Sequence, residues 1–300
     1  MSSPRALSGA AFATLLLIAL MMGANHVAAR LAFNHGVDVA TAVVFRSSVT
    51  ALVVSVLILV QQVPWAFKPR HKRFVPAIGL LIGIQSLCLY ASVARLPVAL
   101  ALLAFNTYPL WTALWDRLLY RRVPEPAMLI AMPVILAGLA LALDVFGAAS
   151  GLGASGQWRQ IGVGVAFAMA AAAVFGVALV LTQHETGDLD GRVRSASTLA
   201  MAALVAIASA SAQGGLHVPD AAAGWWGLGL LTLLYGTAFT IMFTVLPRLG
   251  VAGNSAIMNV EPVFALVLAW LFLGQAIAPV QLVGAALVVG AVMVLGLRRR

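Results

Sequence analysis

Apolar runs of about twenty residues recur along almost the whole of this 300-residue sequence, and nothing else limits its fold as tightly. A helix needs about 20 mostly apolar residues to cross roughly 30 Å of hydrocarbon. Ten runs meet that need, near 10–29, 41–60, 74–93, 98–116, 127–145, 161–181, 196–212, 225–246, 251–273 and 279–297. The run 196–212, ASTLAMAALVAIASASA, is the weakest, being short and rich in Ala and Ser. The runs are too long for barrel strands and show no strict alternation of polar and apolar residues. With 62% hydrophobic and 9% charged residues and a mean hydropathy of +1.02, the chain has too little polar surface for water. Its expected class is an all-α integral membrane protein with lipid as its solvent and the bilayer as its first partner. Arg5 ahead of the first apolar run imitates a signal peptide. The run is longer than a usual signal core, and many like it follow, so it is assigned as the first span.

The charge pattern sets an orientation. With the N-terminus in the cytoplasm, the segments 68–73 (KPRHKR), 116–122 (DRLLYRR) and 191–194 (GRVR) fall inside, with Arg5, Arg248 and the final three arginines. Fourteen of the eighteen Lys and Arg are then cytoplasmic; Arg30, Arg95 and Arg159 fall outside, and Arg46 lies within a span. This positive-inside bias predicts cytoplasmic N- and C-termini. The net charge of +9 is spread over short loops rather than one compact domain, so it does not indicate nucleic-acid binding. The single Cys88, in an apolar run, allows neither an intrachain disulfide nor a multi-Cys metal site, and no metal or cofactor is called for.

The sequence nearly repeats itself. An offset of 153 residues lays Asn106 on Asn259, Pro109 on Pro262 and Arg95 on Arg248. It divides the chain into residues 1–146, a Gly- and Ser-rich external linker at 147–160 expected to be flexible, and residues 161–300. Five spans per half make the second half enter the membrane from the opposite side. The loops at 213–224 and 274–278 agree: they carry no Lys or Arg where their counterparts in the first half are basic. Two inverted five-helix repeats are therefore expected, an arrangement common in secondary transporters, whose substrates bind near the midplane between the repeats.

At these motifs the chain resembles the drug/metabolite transporter superfamily, in particular its ten-span bacterial EamA-type members. The second unit carries the likeness most plainly, from Gly253 through NSAIMNVEPVFALVLAWLFLGQAIAPVQLVGAALVVGAVMVL to Leu295. The first shows it in ANHVAARLAF (24–33), FRSSV (45–49) and LPVALALLAFNTYPLWTALWDRLLYRRVPEPAMLIAMPVILAGLAL (96–141). The resemblance implies two packed bundles around a central cavity, a multi-pass protein of the bacterial inner membrane, and movement of small metabolites, amino acids among them. It also implies that Glu is common near Glu261 in the second unit, while the matching site of the first varies. Here Tyr108 stands at that site, so any carboxylate chemistry at this level rests on Glu261 alone.

Glu261 lies about ten residues into its span, roughly 15 Å deep at ~1.5 Å per residue. A carboxylate there must be paired, protonated or facing a wet cavity. It is a candidate to carry a proton, to bind a substrate ammonium, or to hydrogen-bond a neighbouring helix. Asn254, Met258 and Glu261 share a helix face that would line the cavity. Asn106 and Asn259 either contact substrate or join helices. Pro109 and Pro262 each withhold a backbone N–H one turn on from residues 105 and 258, which bends the helix or exposes a carbonyl. Arg46, with Asn25 and His26, either forms an outer polar gate that contacts a carboxylate or snorkels to the surface. Gln85, Tyr90, Tyr108, Trp111 and Tyr235 are further cavity candidates, whereas Trp65, Trp158, Trp225 and Trp226 suit membrane interfaces. Gly79 and Gly83 form a GxxxG that marks a close helix contact.

The chain has no HExxH, GxSxG or P-loop, so neither an enzyme nor an ATPase is expected. His184–Glu185 lacks the second His of a zinc motif. A lone acidic site offers no channel filter. The expected function is alternating-access export of a small metabolite, an amino acid with an apolar or aromatic side chain favoured, with proton coupling through Glu261 as one mode. Export of amphipathic drugs, or lipid or polyprenyl-carrier flipping on the same fold, is the alternative. One chain holds both halves, so a monomer suffices, with a dimer left open.

Overall fold

Inside lipid the backbone must satisfy its own polar groups, so the apolar runs fold as helices. The computed structural model describes residues 9–122, 126–147, 149–245 and 260–298, and among them there is no strand. In chain order the helices are α1 (Gly9–Phe33), α2 (Val39–Val60), α3 (Pro69–Val93), α4 (Val98–Phe105), α5 (Tyr108–Tyr120), α6 (Pro126–Ala142), α7 (Gly153–Glu185), α8 (Gly191–Ala212), α9 (Ala222–Thr244), α10 (Glu261–Leu273) and α11 (Pro279–Arg298). Seven are long and apolar enough to cross a membrane when α4 and α5 are counted as one; Leu129–Ala142, Glu261–Leu273 and Pro279–Val294 are shorter apolar helices.

The expected fourth span is divided. α4 ends at Asn106, whose N–H bonds the Leu102 carbonyl, and Thr107 turns back to Ala104 through its N–H at 3.3 Å and its hydroxyl at 2.8 Å. Pro109 cannot donate to the Phe105 carbonyl, and its ring suits the first turn of a new helix, so α5 starts here. The second half starts α10 in the same way, at Glu261 with Pro262 in its first turn. The 153-residue offset then relates several boundaries. α3 and α9 begin at 69 and 222, α6 and α11 at 126 and 279. α5 and α10 both end in a left-handed cap, Arg121 with φ 56° and Gly274 with φ 64°. Glycine takes that conformation without a Cβ clash; Arg121 adopts it at a cost.

Helices of one half pack chiefly on helices of the other. α1 lies against α9 and α3 against α7, the two contacts that the offset exchanges. α2 runs antiparallel to its own counterpart α8: the Thr41 hydroxyl accepts from the His217 N–H at one end, and Arg192 donates to Gln61 at the other. α6 and α11, also counterparts, are antiparallel too. Gln281 donates to the Ala142 carbonyl at 3.0 Å while Gly138 meets Leu287 and Val288. α4 is the hub, every side chain from Val98 to Ala104 being buried. Its first N–H, on Val98, is capped at 2.9 Å by Gln275 from the far half. The GxxxG contact is present between α3 and α8: a Cβ on Gly79 would stand 2.5 Å from the Met201 Cβ, and one on Gly83 2.8 Å from the Val205 Cβ.

The segment 147–160, expected to be a flexible linker, is largely ordered, because α7 begins at Gly153. The Asp144 carboxylate accepts from the Ala149 and Ser150 N–H groups, and Gln157 donates to the Leu143 carbonyl at 3.1 Å. These bonds fold the turn back on α6 and let helix run on where Gly and Ser alone suggested coil.

The basic segments meet at one end of the molecule. Asp188, between α7 and α8, accepts from Lys68 at 2.5 Å, Arg70 at 2.9 Å and His71 at 2.9 Å. Hydrogen bonds from Lys68 and then His71 hold its carboxyl well below the usual range. Nearby, His184 contacts Asp116 at 2.8 Å and Tyr120 donates to Glu185 at 2.6 Å.

Candidate functional site

A cavity of about 310 Å³ opens between the halves, with walls from α1, α2, α3, α4, α7, α8, α9 and α10. It runs from the level of His26, Arg46 and Glu261 to Thr182, Arg194 and Ser195 near the basic end. A second and larger hollow, about 660 Å³, lies around Asp38, Arg95 and Phe167 at the opposite end. The smaller one holds the polar groups that the sequence points to.

The repeat frames this cavity and sequence divergence makes it polar. Arg46 and its counterpart Leu199 both line it, as do Tyr235 and Ile82, and Phe175 and Met22. One wall therefore carries the guanidinium and the phenol where the matching positions are aliphatic.

Arg46 is 4% exposed and does not snorkel to the surface. Its Nη2 donates to the Ser86 hydroxyl at 2.8 Å and its Nη1 to the Tyr90 hydroxyl at 3.3 Å. The Tyr90 hydroxyl donates onward to Asn25 Oδ1 at 3.1 Å. The guanidinium carbon lies 4.2 Å from the Tyr235 ring centre and 4.7 Å from that of Tyr90, within cation–π range. Four neutral side chains thus hold one charge deep in the protein.

Glu261 opens α10, where helix N-terminal N–H groups favour a carboxylate. Its Oε1 is 3.3 Å from His26 Nε2. The contact depends on Gly23, one turn before His26: a Cβ there would meet the Ala265 nitrogen and the Glu261 carbonyl, each at 3.0 Å. Glycine lets α1 lie directly on the first turn of α10. The other half makes the same backbone contact, with Gly176 against Trp111 and Thr112. There the counterparts of His26 and Glu261 are Leu179 and Tyr108, so the polar pair exists on one side only.

Of the residues that the sequence singles out, His26, Arg46, Gln85, Tyr235 and Glu261 line the cavity. Asn25 and Tyr90 stand behind it, positioning Arg46. Asn106 caps α4. Tyr108 packs its ring on Phe105 and Phe175, and Trp111 packs on Gly176, so both belong to the support of the wall. Pro109 and Pro262 each sit in the first turn of a helix. Asn254 and Met258, with Asn259 and Arg248, lie outside the described residues. The structure pairs His26 with Glu261, and the cavity adds the aromatic residues Phe105, Phe175 and Phe239 and the polar strip Thr182, Arg194, Ser195 and Thr198. Two pairs carried a signal at helical spacing: Tyr235 with Phe239, and Arg194 with Thr198.

Both halves match known proteins. The model of the EamA-like transporter family fits residues 8–143 and again 162–297. The threonine/homoserine exporter RhtA of Salmonella typhimurium strain SL1344 is 26% identical over 243 residues, spanning 77% of this chain and 74% of the exporter. The exporter of the same name from Escherichia coli strain K12 is 25% identical over 236 residues, with the same shares of each chain. A solved crystal structure of a protein shares the fold, with a TM-score of 0.62 and 20% identity over 97% of this chain and 99% of that one.

Proposed function

The chain belongs to the EamA-like transporter family, and from that premise we propose that it exports an amino acid across the bacterial inner membrane by alternating access. It is a multi-pass membrane protein with two EamA repeats. The observation that carries the substrate reading is one small cavity, built by both repeats, that holds a buried guanidinium and a carboxylate among aromatic walls. A volume near 310 Å³ is at the lower end of small-molecule sites, which run from ~300 to 1,000 Å³, and suits a compact metabolite better than a drug or a lipid carrier. Apolar and aromatic side chains around the polar groups favour an apolar or aromatic amino acid. The likeness to threonine/homoserine exporters supports amino-acid export.

The ten-span reading assigns α4 and α5 to one span and places α10 in the ninth. The antiparallel packing of α2 on α8 and of α6 on α11 supports inverted repeats, because counterparts related by a dyad across their axes run oppositely. Units at 1–146 and 161–300 joined by a short turn fit that arrangement. Convergence of the basic loops at one end supports cytoplasmic termini, and the cavity then faces the cytoplasm. The halves rock about the cavity to open it outward. A single chain holds the whole cavity, so a monomer suffices.

Glu261, beside His26, is the group we assign to proton coupling: it gives up its proton as substrate binds and regains it on the other face. The test is radiolabelled amino-acid efflux from proteoliposomes under an imposed pH gradient, with wild type beside Glu261→Gln. Wild-type flux should follow the gradient, and the variant should keep exchange but lose that response. Equal responses in both would remove Glu261 from coupling, and no amino-acid flux in the wild type would overturn the substrate reading.

A further inference from the structure

We propose that Arg46 is the carboxylate anchor of the substrate site, so that the transporter accepts amino acids with a free α-carboxylate and rejects their esters and decarboxylated amines. The inference rests on the amino-acid reading above and deepens it. Arg46 is an expensive residue to keep at this depth, since an unpaired charge within a membrane span must find a partner or water. Among the described residues no carboxylate comes within ion-pair distance of it, and Glu261 contacts His26 instead. Its two hydrogen-bond acceptors among the described residues, Ser86 and Tyr90, are hydroxyls, which fix direction without neutralising charge.

A guanidinium has five N–H donors in a planar fork. Two are used, and the buried Nε has no partner among the described residues. What remains is donor capacity beside a cavity, on a cation already oriented by Ser86, Tyr90 and Asn25 and flanked by the rings of Tyr90 and Tyr235. A carboxylate matches that fork with two parallel hydrogen bonds. Such an anion completes the neutralisation that the protein leaves undone.

The aliphatic counterpart Leu199 makes the anchor one-sided. A zwitterion can therefore bind in one polarity only, with its carboxylate toward α2 and its side chain toward Phe105 and Phe175. The fork geometry also separates Arg46 from a merely positive site: lysine would keep the charge and lose the paired bonds.

The test is competition in proteoliposomes holding the full chain, with radiolabelled leucine as the transported probe. Unlabelled leucine, leucine methyl ester and isoamylamine are the competitors. In the wild type, leucine should compete at least about tenfold better than either analogue, as expected for loss of a charge-assisted contact. Arg46→Gln should weaken leucine on the order of tenfold to a hundredfold and leave the ester nearly unchanged, so that the preference collapses. Arg46→Lys should fall between. An ester that competes as well as the free acid in the wild type overturns the proposal even if no variant folds. So does an Arg46→Gln protein, monodisperse in detergent, that keeps the full preference. If leucine and the other amino acids fail to move in the wild type, the amino-acid reading itself is wrong and the anchor falls with it. Flux with a preference that does not track Arg46 defeats the anchor alone.

Discussion

Glu261 and Tyr108 occupy equivalent positions of two repeats, yet one meets His26 while the other packs among phenylalanines. The residue scale is where the halves part. A residue with a plainer role is Asp188, which ties the α2–α3 segment to the α7–α8 turn. Its pKa is lower in the folded protein than in the unfolded chain, with Lys68 the largest cause. Folding therefore gains from its ionisation above the unfolded value of about 4, and the gain fades as pH falls below that. Asp188→Asn should lower the melting temperature in detergent at pH 7. The difference should narrow in acid and at high salt, because the group is solvent-exposed. An equal difference at every pH would assign the effect to lost hydrogen bonds rather than to charge. The charge pattern had put the segment 68–73 in one basic loop; that a single carboxylate gathers Lys68, Arg70 and His71 required the fold.

At the scale of elements, close approach depends on residues without side chains. α3 and α8 touch at Gly79 and Gly83, where Met201 and Val205 fill the space a Cβ would take. Gly79→Leu should push the helices apart and cost about 1–3 kcal/mol, the usual penalty of overpacking. Gly229→Leu is its control, since a Cβ at Gly229 meets nothing within 4 Å. Unfolding of the two variants in mixed micelles checks this: comparable stability would show that the glycines do not set the spacing. The GxxxG spacing was legible in the sequence, but the partner helix was not, because glycine carries no chemistry that selects one apolar face over another. Helix ends divided in the same way. Pro109 and Pro262 announced a break or bend, and each heads a helix. The extension of α7 back to Gly153 came from Asp144 and Gln157, whose acceptors and donors are met only after the chain turns.

At the scale of the whole molecule, the cavity and the basic loops bear on access. Ser195 lines the cavity close to the end where Lys68, Arg70 and Asp188 meet. With the only cysteine removed by Cys88→Ala, Ser195→Cys should react with an impermeant maleimide in inside-out vesicles and much less in right-side-out ones. Saturating leucine should slow the reaction several-fold. Labelling from the opposite face would reverse the proposed orientation, and labelling indifferent to leucine would detach this strip from the substrate path.

Length, hydropathy and charge were enough to determine that the chain is helical and at home in lipid, because both follow from solvation of the backbone and of side chains taken one at a time. The 153-residue offset also belonged to the sequence, and it reappears in the starts of α3 and α9, of α5 and α10, and of α6 and α11. Which polar residues meet was decided by tertiary structure alone. Asn25, Arg46, Ser86 and Tyr90 come from three helices, and Asn25 and Tyr90 are separated by 65 positions. His26 reaches Glu261 across most of the chain only because Gly23 lets α1 touch α10. Hydrogen bonds and ion pairs act over a few ångströms, and distance in the sequence says nothing about that until the helices are packed.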